Sequence, residues 1–215
     1  RFRELGSEMD GSGIAPEVAA VVRSPAEVLT GRNHMSHLTE NGLTTTIPVT
    51  GRVPKLPRVI EWVEEVAALT NPSAIHFLDG SDEEYERFVE KLVEAGTLMR
   101  LNPDKQPGSV YARTDPDDVA RVEDSTFICS VDENDAGPTN NWMDPKQMKT
   151  ILTKLYNGCM VGRTMYVIPF CMGHIDAPSP KFGIEITDSA YVAISMKIMT
   201  RMGTEVMEAM ERTDA

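Results

Sequence analysis

Arg163-Thr164-Met165-Tyr166-Val167-Ile168-Pro169-Phe170 is nearly continuously apolar and rich in β-prone side chains, the signature of a strand covered on both faces. A strand of that kind needs helices on either side of its sheet. The flanking segments supply them. Upstream, Met148, Ile151, Leu152 and Leu155 recur at helical spacing behind Asp144-Pro145, an N-cap followed by Pro at N1, and Gly158 stands where a helix stops. Downstream, Phe182 to Thr187 alternates as a weaker strand, and Asp188 or Ser189 caps a last long helix whose predicted buried face is Tyr191, Val192, Ser195, Ile198, Met199 and Met202.

Working toward the N-terminus, Val59, Trp62, Val63 and Val66 place a surface helix from Pro57 onward, and Ala74 to Leu78 reads as a short strand. Ser81 with Glu84 three residues later is a capping box, opening a helix with Tyr85, Phe88, Val89, Leu92 and Val93 on one face and Gly96 beyond its end. Strand-like runs follow at Thr97 to Leu101, Val110 to Arg113 and Thr126 to Ser130. Helices and strands alternate, so the fold class is α/β, a mixed sheet with flanking helices. Residues 1 to about 50 carry no sustained period and are broken by Gly6, Gly11, Gly13, Pro16, Pro25, Gly31 and Gly42, which predicts an arm with at most a short helix near Pro16 to Leu29. Pro48 to Pro57, with three prolines, reads as an entry linker.

The 215 residues suffice for one large domain or a domain with a tail. Twenty-one Lys and Arg against 33 Asp and Glu leave a net charge of −12, which argues against nucleic acid or an anionic membrane as the main partner. No run approaches the roughly 18 consecutive apolar residues of a membrane span. The three cysteines, Cys129, Cys159 and Cys171, have no CxxC spacing and signal neither a disulfide framework nor a zinc site, so a cytoplasmic setting is expected. Arg1 opens the chain, and Glu211 to Ala215 extend a helical pattern with no glycine cap, which predicts a piece of a longer protein.

Chemistry-bearing motifs are few. Gly158-Cys159-Met160-Val161-Gly162-Arg163-Thr164 resembles a phosphate loop but is one residue short, has Arg for Lys and precedes a strand, so it reads as a helix stop and turn. Cys171, His174 and Asp176 lie close together in the loop expected after the buried strand but lack a second cluster to complete a metal shell. His76 in its short strand reads as a hydrogen-bonded, half-buried histidine, and His34 and His37 lie in the arm. Asp79, Asp82, Glu83, Glu84 and Glu86 lack the calcium-loop pattern and suit a first helical turn. Arg121, set among acids, presents a guanidinium fork able to hold a carboxylate or phosphate bidentately, although an Arg among acids is more often a solvated ion-pair partner.

Taken together, Asp115-Pro116-x-Asp118-Val119-Ala120-Arg121-Val122-Glu123, Asp135-Ala136-Gly137-Pro138-Thr139-Asn140-Asn141-Trp142-Met143, Gly158-Cys159-Met160-x-Gly162-Arg163-Thr164-Met165-Tyr166-Val167-Ile168-Pro169-Phe170, Gly183-Ile184-Glu185-Ile186-Thr187-Asp188-Ser189 and Met199-Thr200-Arg201-Met202-Gly203 closely resemble the GTP-dependent phosphoenolpyruvate carboxykinases, in their actinobacterial form. The similarity is collinear from about Arg58 to Glu208, so that 51–215 is expected to be most of the N-terminal, substrate-binding domain of that fold and 1–50 an arm outside it.

The resemblance implies conversion of oxaloacetate and GTP to phosphoenolpyruvate, GDP and carbon dioxide in gluconeogenesis, a lyase reaction assisted by manganese or magnesium. It assigns Arg121 to the substrate anion and Glu123 to coupling with the active-site lid. It also implies that the catalytic, metal and nucleotide residues belong to a C-terminal nucleotide-binding domain beyond residue 215, so that this piece alone is expected to be inactive and to bind neither GTP nor metal. Two departures stand out: Asp124 adds negative charge three positions from Arg121, opposing anion binding, and His174-Ile175-Asp176 replaces a Pro-Leu-Gly-like loop. The competing expectations are a non-catalytic module binding dicarboxylates or a protein, and a pseudoenzyme tuned by Asp124.

Overall fold

The computed structural model describes residues 46–113 and 126–213. Its centre is the predicted strand, β7 (Thr164–Met172), in which Met165 through Pro169 are all buried. It lies in a five-stranded sheet of order β1-β2-β7-β8, with β9 also pairing to β7. Here β1 is Val49–Thr50, β2 is Ala74–Phe77, β8 is Lys181–Thr187 and β9 is Arg201–Met202. β1, β2 and β7 run parallel, whereas β8 and β9 are antiparallel to β7, which makes the sheet mixed.

The alternation of side chains along β7 explains why no polar face is needed. Tyr166 and Ile168 point into one core with Phe88, Val89 and Leu92 of α2 (Asp82–Glu94) and Ala193, Ile194 and Met196 of α4 (Ala190–Met199). Met165 and Val167 point into the other, with Val63 and Ala67 of α1 (Pro57–Thr70) and Met207 of α5 (Thr204–Thr213). Helices thus cover the sheet on both sides. Two small two-stranded sheets lie outside this sandwich: β3 (Leu98–Arg100) with β4 (Val110–Ala112), antiparallel, and β5 (Phe127–Ile128) with β6 (Asn141–Trp142), parallel. The remaining helix, α3 (Pro145–Tyr156), begins where Asp144 accepts from the amides of Lys146 and Gln147.

Four expectations are corrected. The entry linker starts as a strand, because Val49 and Thr50 pair with Ile75 and His76 at the sheet edge. The stripe Met148, Ile151, Leu152 and Leu155 is not buried: no residue of α3 is, and Leu155 is 67% exposed, since α3 leans on α1 rather than on the sheet. The face predicted for α4 is also displaced. Ala190, Ala193, Ile194 and Met196 are buried while Ile198 and Met199 are exposed. That helix is apolar almost all round, so its period singles out no face, and the small alanines decide which side approaches the sheet most closely. Finally, the last long helix is two, α4 and α5, separated by β9 and Gly203.

Candidate functional site

Arg121 and Glu123, the residues expected to touch substrate and lid, lie outside the described residues, as do Asp124, His34 and His37. The segment that carries Arg121 is bracketed by β4, which ends at Ala112, and β5, which starts at Phe127. Both bracketing strands belong to the small sheets rather than to the central one.

Within the described residues the best-connected polar group centres on His76, on the α2 side of the sheet. Its Nδ1 is 2.7 Å from Thr50 Oγ1 and its Nε2 is 2.8 Å from Glu84 Oε1, and the second carboxylate oxygen of Glu84 accepts from the Gly80 amide at 2.9 Å. The imidazole is half-buried and hydrogen-bonded as expected, with its ring edge-on to Phe88 and Tyr166. Glu84 is 2% exposed, which a carboxylate tolerates only with such partners. The hydroxyl of Tyr166 accepts from Lys91 Nζ at 2.9 Å.

The capping box is half of what the spacing predicts. Ser81 Oγ accepts from the Glu84 amide, but Glu84 does not reach back to Ser81; Asp79 Oδ1 takes the Ser81 amide at 2.6 Å instead. This frees Glu84 to serve His76, a role the sequence spacing does not reveal. Burial pushes the Asp79 carboxyl up, but its hydrogen bonds with Ser81 and Glu84, together with the Arg87 charge, outweigh that and hold it below its ordinary value. Asp82 is also held low, by a hydrogen bond from Lys197 at 2.7 Å, and Glu86 pairs with Arg100. Of the acidic cluster, Asp79 thus caps, Glu84 serves His76, and Asp82 and Glu86 form ion pairs.

The loop from Gly158 to Thr164 is a turn, and its amides serve the protein itself: Gly158 donates to Leu69 O, Met160 to Thr70 O, Val161 to Gly158 O and Arg163 to Met160 O. The Arg163 side chain is held by Asp188 at 2.8 Å and by the Cys159 carbonyl. Burial, with Asp188 nearby, pushes the Cys159 thiol up, which disfavours a reactive thiolate. Cys171 belongs to β7 and is wholly buried against Leu56, Ile175, Val206 and Met210, so it does not converge with His174 and Asp176. Those two, both exposed and 4.0 Å apart, rim an open depression of about 150 Å³ with Arg201 and Glu205. Among the described residues no three His, Cys, Asp or Glu side chains form a group that could hold a metal ion. Nor is any described helix long and apolar enough to cross a membrane.

Residues 61–215 match the family model described as phosphoenolpyruvate carboxykinase N-terminal domain. The chain belongs to that family. Its mixed α/β sandwich is thus the architecture of a carboxykinase N-terminal domain, and Arg121 and Glu123 both fall inside the matched span. Proteins named phosphoenolpyruvate carboxykinase [GTP] are similar to it over long stretches. The one from Renibacterium salmoninarum is 56% identical over 178 residues, 83% of this chain and 28% of that protein. The one from Paenarthrobacter aurescens is 61% identical over 158 residues, 74% of this chain and 26% of that protein. The one from Corynebacterium efficiens is 53% identical over 168 residues, 76% of this chain and 28% of that protein. The chain spans little more than a quarter of the length of these relatives.

Proposed function

We propose that this chain is the substrate-side domain of an enzyme converting oxaloacetate and GTP to phosphoenolpyruvate, GDP and carbon dioxide. The observation that carries the reading is the match of residues 61–215 to a carboxykinase N-terminal domain, joined to relatives whose names specify GTP. Decarboxylation of a β-keto acid leaves an enolate whose remaining carboxylate must be gripped while its oxygen is aligned with the phosphoryl group to be transferred. Arg121 is the group for that grip: a planar, always-charged fork binds a carboxylate by two parallel hydrogen bonds and so fixes orientation as well as position. Glu123, two residues on, is the candidate for coupling substrate binding to lid closure.

Among the described residues no three His, Cys, Asp or Glu side chains group so as to hold the divalent ion, manganese or magnesium, that the family implies. The sequence also contains no Gly-Lys-Thr phosphate loop. As the resemblance implies, the chain by itself is proposed to hold half of a site, able to take the anion and unable to turn it over. Its proposed setting is the cytoplasm and its pathway gluconeogenesis.

Calorimetry with oxalate and with phosphoenolpyruvate on the 215-residue chain, beside Arg121→Ala, tests this. Two charge-assisted hydrogen bonds lost should weaken binding by about 100-fold or more. Absence of binding to the parent chain, or equal binding to the variant, would remove Arg121 from the role.

A further inference from the structure

We infer that Thr50 is an activated, acyl-accepting hydroxyl, with His76 as its general base and Glu84 as the residue that orients the base, a chemistry independent of the carboxykinase reading. The parallel pairing of β1 with β2 sets Thr50 directly beside His76, and the hydroxyl lies 2.7 Å from Nδ1. The protons on this chain of groups can be placed from its far end. Glu84 accepts the Gly80 amide on one oxygen and faces His76 Nε2 at 2.8 Å with the other. With Glu84 ionised, that oxygen can only accept, and Nε2 carries the proton. In the neutral imidazole Nδ1 is then a bare lone pair, and the Thr50 hydroxyl must donate to it. That is the arrangement in which a hydroxyl nucleophile, a base and an orienting carboxylate act as one unit.

Burial follows the same order. Thr50 is exposed, the His76 side chain is 23% exposed and that of Glu84 is 3% exposed, so an incoming molecule meets the nucleophile while the charge that steadies the base stays dry. The chain turns away directly after Thr50 at Gly51, which has φ +84°. A Cβ at that position would fall 2.0 Å from the Phe77 carbonyl oxygen, so glycine is required to bring Thr50 onto β2 at this register.

The substrate class is small activated esters. Thr50 Oγ1 attacks the acyl carbon while its proton passes to His76 Nδ1. The resulting imidazolium sits against the Glu84 carboxylate. Collapse of the tetrahedral adduct breaks the bond to the leaving group, which departs with the proton from Nδ1, and Thr50 is left as an ester. Water, deprotonated by the same nitrogen, then releases the carboxylic acid and restores the hydroxyl.

The test is 4-nitrophenyl acetate on the full chain, read both as nitrophenolate release and as acetyl mass mapped by peptide. The expected result is an acetyl group on Thr50, absent from Thr50→Val, retained in Thr50→Ser, and formed about 100-fold more slowly in His76→Gln, the lower end of what a general base contributes. Glu84→Gln should lower the rate at saturating ester about tenfold and leave the half-saturating concentration unchanged. Circular dichroism on each variant monitors folding, and Thr50→Val, altered only at an exposed edge hydroxyl, keeps the question answerable if His76→Gln unfolds. Acetyl found elsewhere but not on Thr50, neither acetyl on Thr50 nor nitrophenolate release that Thr50→Val abolishes, or equal acetylation rates in a folded His76→Gln would overturn the assignment.

Discussion

Glu84 shows how much one side chain can carry in this domain. It is buried in the first turn of α2 and accepts from His76 Nε2 and from the Gly80 amide. Removing its carboxylate leaves both donors without an acceptor in a site that water reaches poorly. Each orphaned donor costs roughly 1–3 kcal/mol, so Glu84→Ala should destabilise the domain by about 3 kcal/mol. Glu84→Gln, which keeps one amide oxygen to accept, should cost less than half as much. Urea titrations give both values, and equal costs for the two variants would show that the hydrogen bonds are not the cause. The Ser81-to-Glu84 spacing correctly marks the helix start, but spacing along one helix carries no information about a histidine brought up by a neighbouring strand. Arg121 is the opposite case. Its proposed role rests on the resemblance carried by the motif Asp118-Val119-Ala120-Arg121-Val122-Glu123, whereas charge pattern alone reads it as one more solvated ion-pair partner.

At the scale of elements, the junction between β9 and α5 is the tightest point. Gly203 has φ +91°, and a Cβ there would lie 2.0 Å from the Asp79 carbonyl oxygen and 2.6 Å from the Gly80 amide nitrogen. Thr204 N donates to Asp79 O, joining the same two segments, and Gly203 N donates to Pro169 O of β7. Gly203→Ala therefore combines positive-φ strain with a clash against backbone that cannot swing aside. It should cost more than about 3 kcal/mol or prevent folding, visible as lost cooperative thermal unfolding. Helix α3 makes the converse point. Its apolar stripe predicts burial, yet Leu155 is 67% exposed, so Leu155→Gln should change stability by less than about 0.5 kcal/mol in the same assay. A loss above 2 kcal/mol would restore the stripe to a packed role. Periodicity announces that α3 and α4 exist and roughly where they start. It does not announce which face packs, because that depends on what the rest of the chain places opposite.

Over the whole molecule, the segment before α1 is fastened to the helix that follows last in the chain. Arg52 Nη2 lies 2.8 Å from one Glu211 carboxylate oxygen and the Lys55 amide donates to the other at 2.8 Å. The Lys55 amide, aided by Arg52, holds the Glu211 carboxyl below its ordinary value of 4.5. The sign follows directly. A carboxyl with a depressed folded value stabilises the fold once it is ionised above about pH 4.5, and that contribution disappears as pH falls through the lower folded value. Stability of the parent chain should thus drop between about pH 4.5 and the lower folded value more steeply than that of Glu211→Gln. The variant itself should lose no more than about 1 kcal/mol at pH 7, since the pair is partly exposed. Parallel pH titrations of the unfolding midpoint for the two proteins would reveal a common slope if the clip contributes nothing.

The amino-acid sequence by itself determined the α/β class, the doubly covered strand at 163–170, the starts of α1, α2 and α3, and membership in the carboxykinase N-terminal domain family with Arg121 as its anion-binding candidate. These are properties of local spacing and motif, written along one stretch of chain. Tertiary structure alone decided that Val49 and Thr50 complete the sheet, that Cys171 is core while His174 and Asp176 are surface, and that Thr50, His76 and Glu84 meet. Those outcomes depend on residues of different elements arriving at one point, Thr50 and His76 being 26 positions apart, and on which of several apolar faces finds a partner. Neither is encoded in the period of any single segment. Both follow from the backbone pairing and the burial that the assembled sheet imposes.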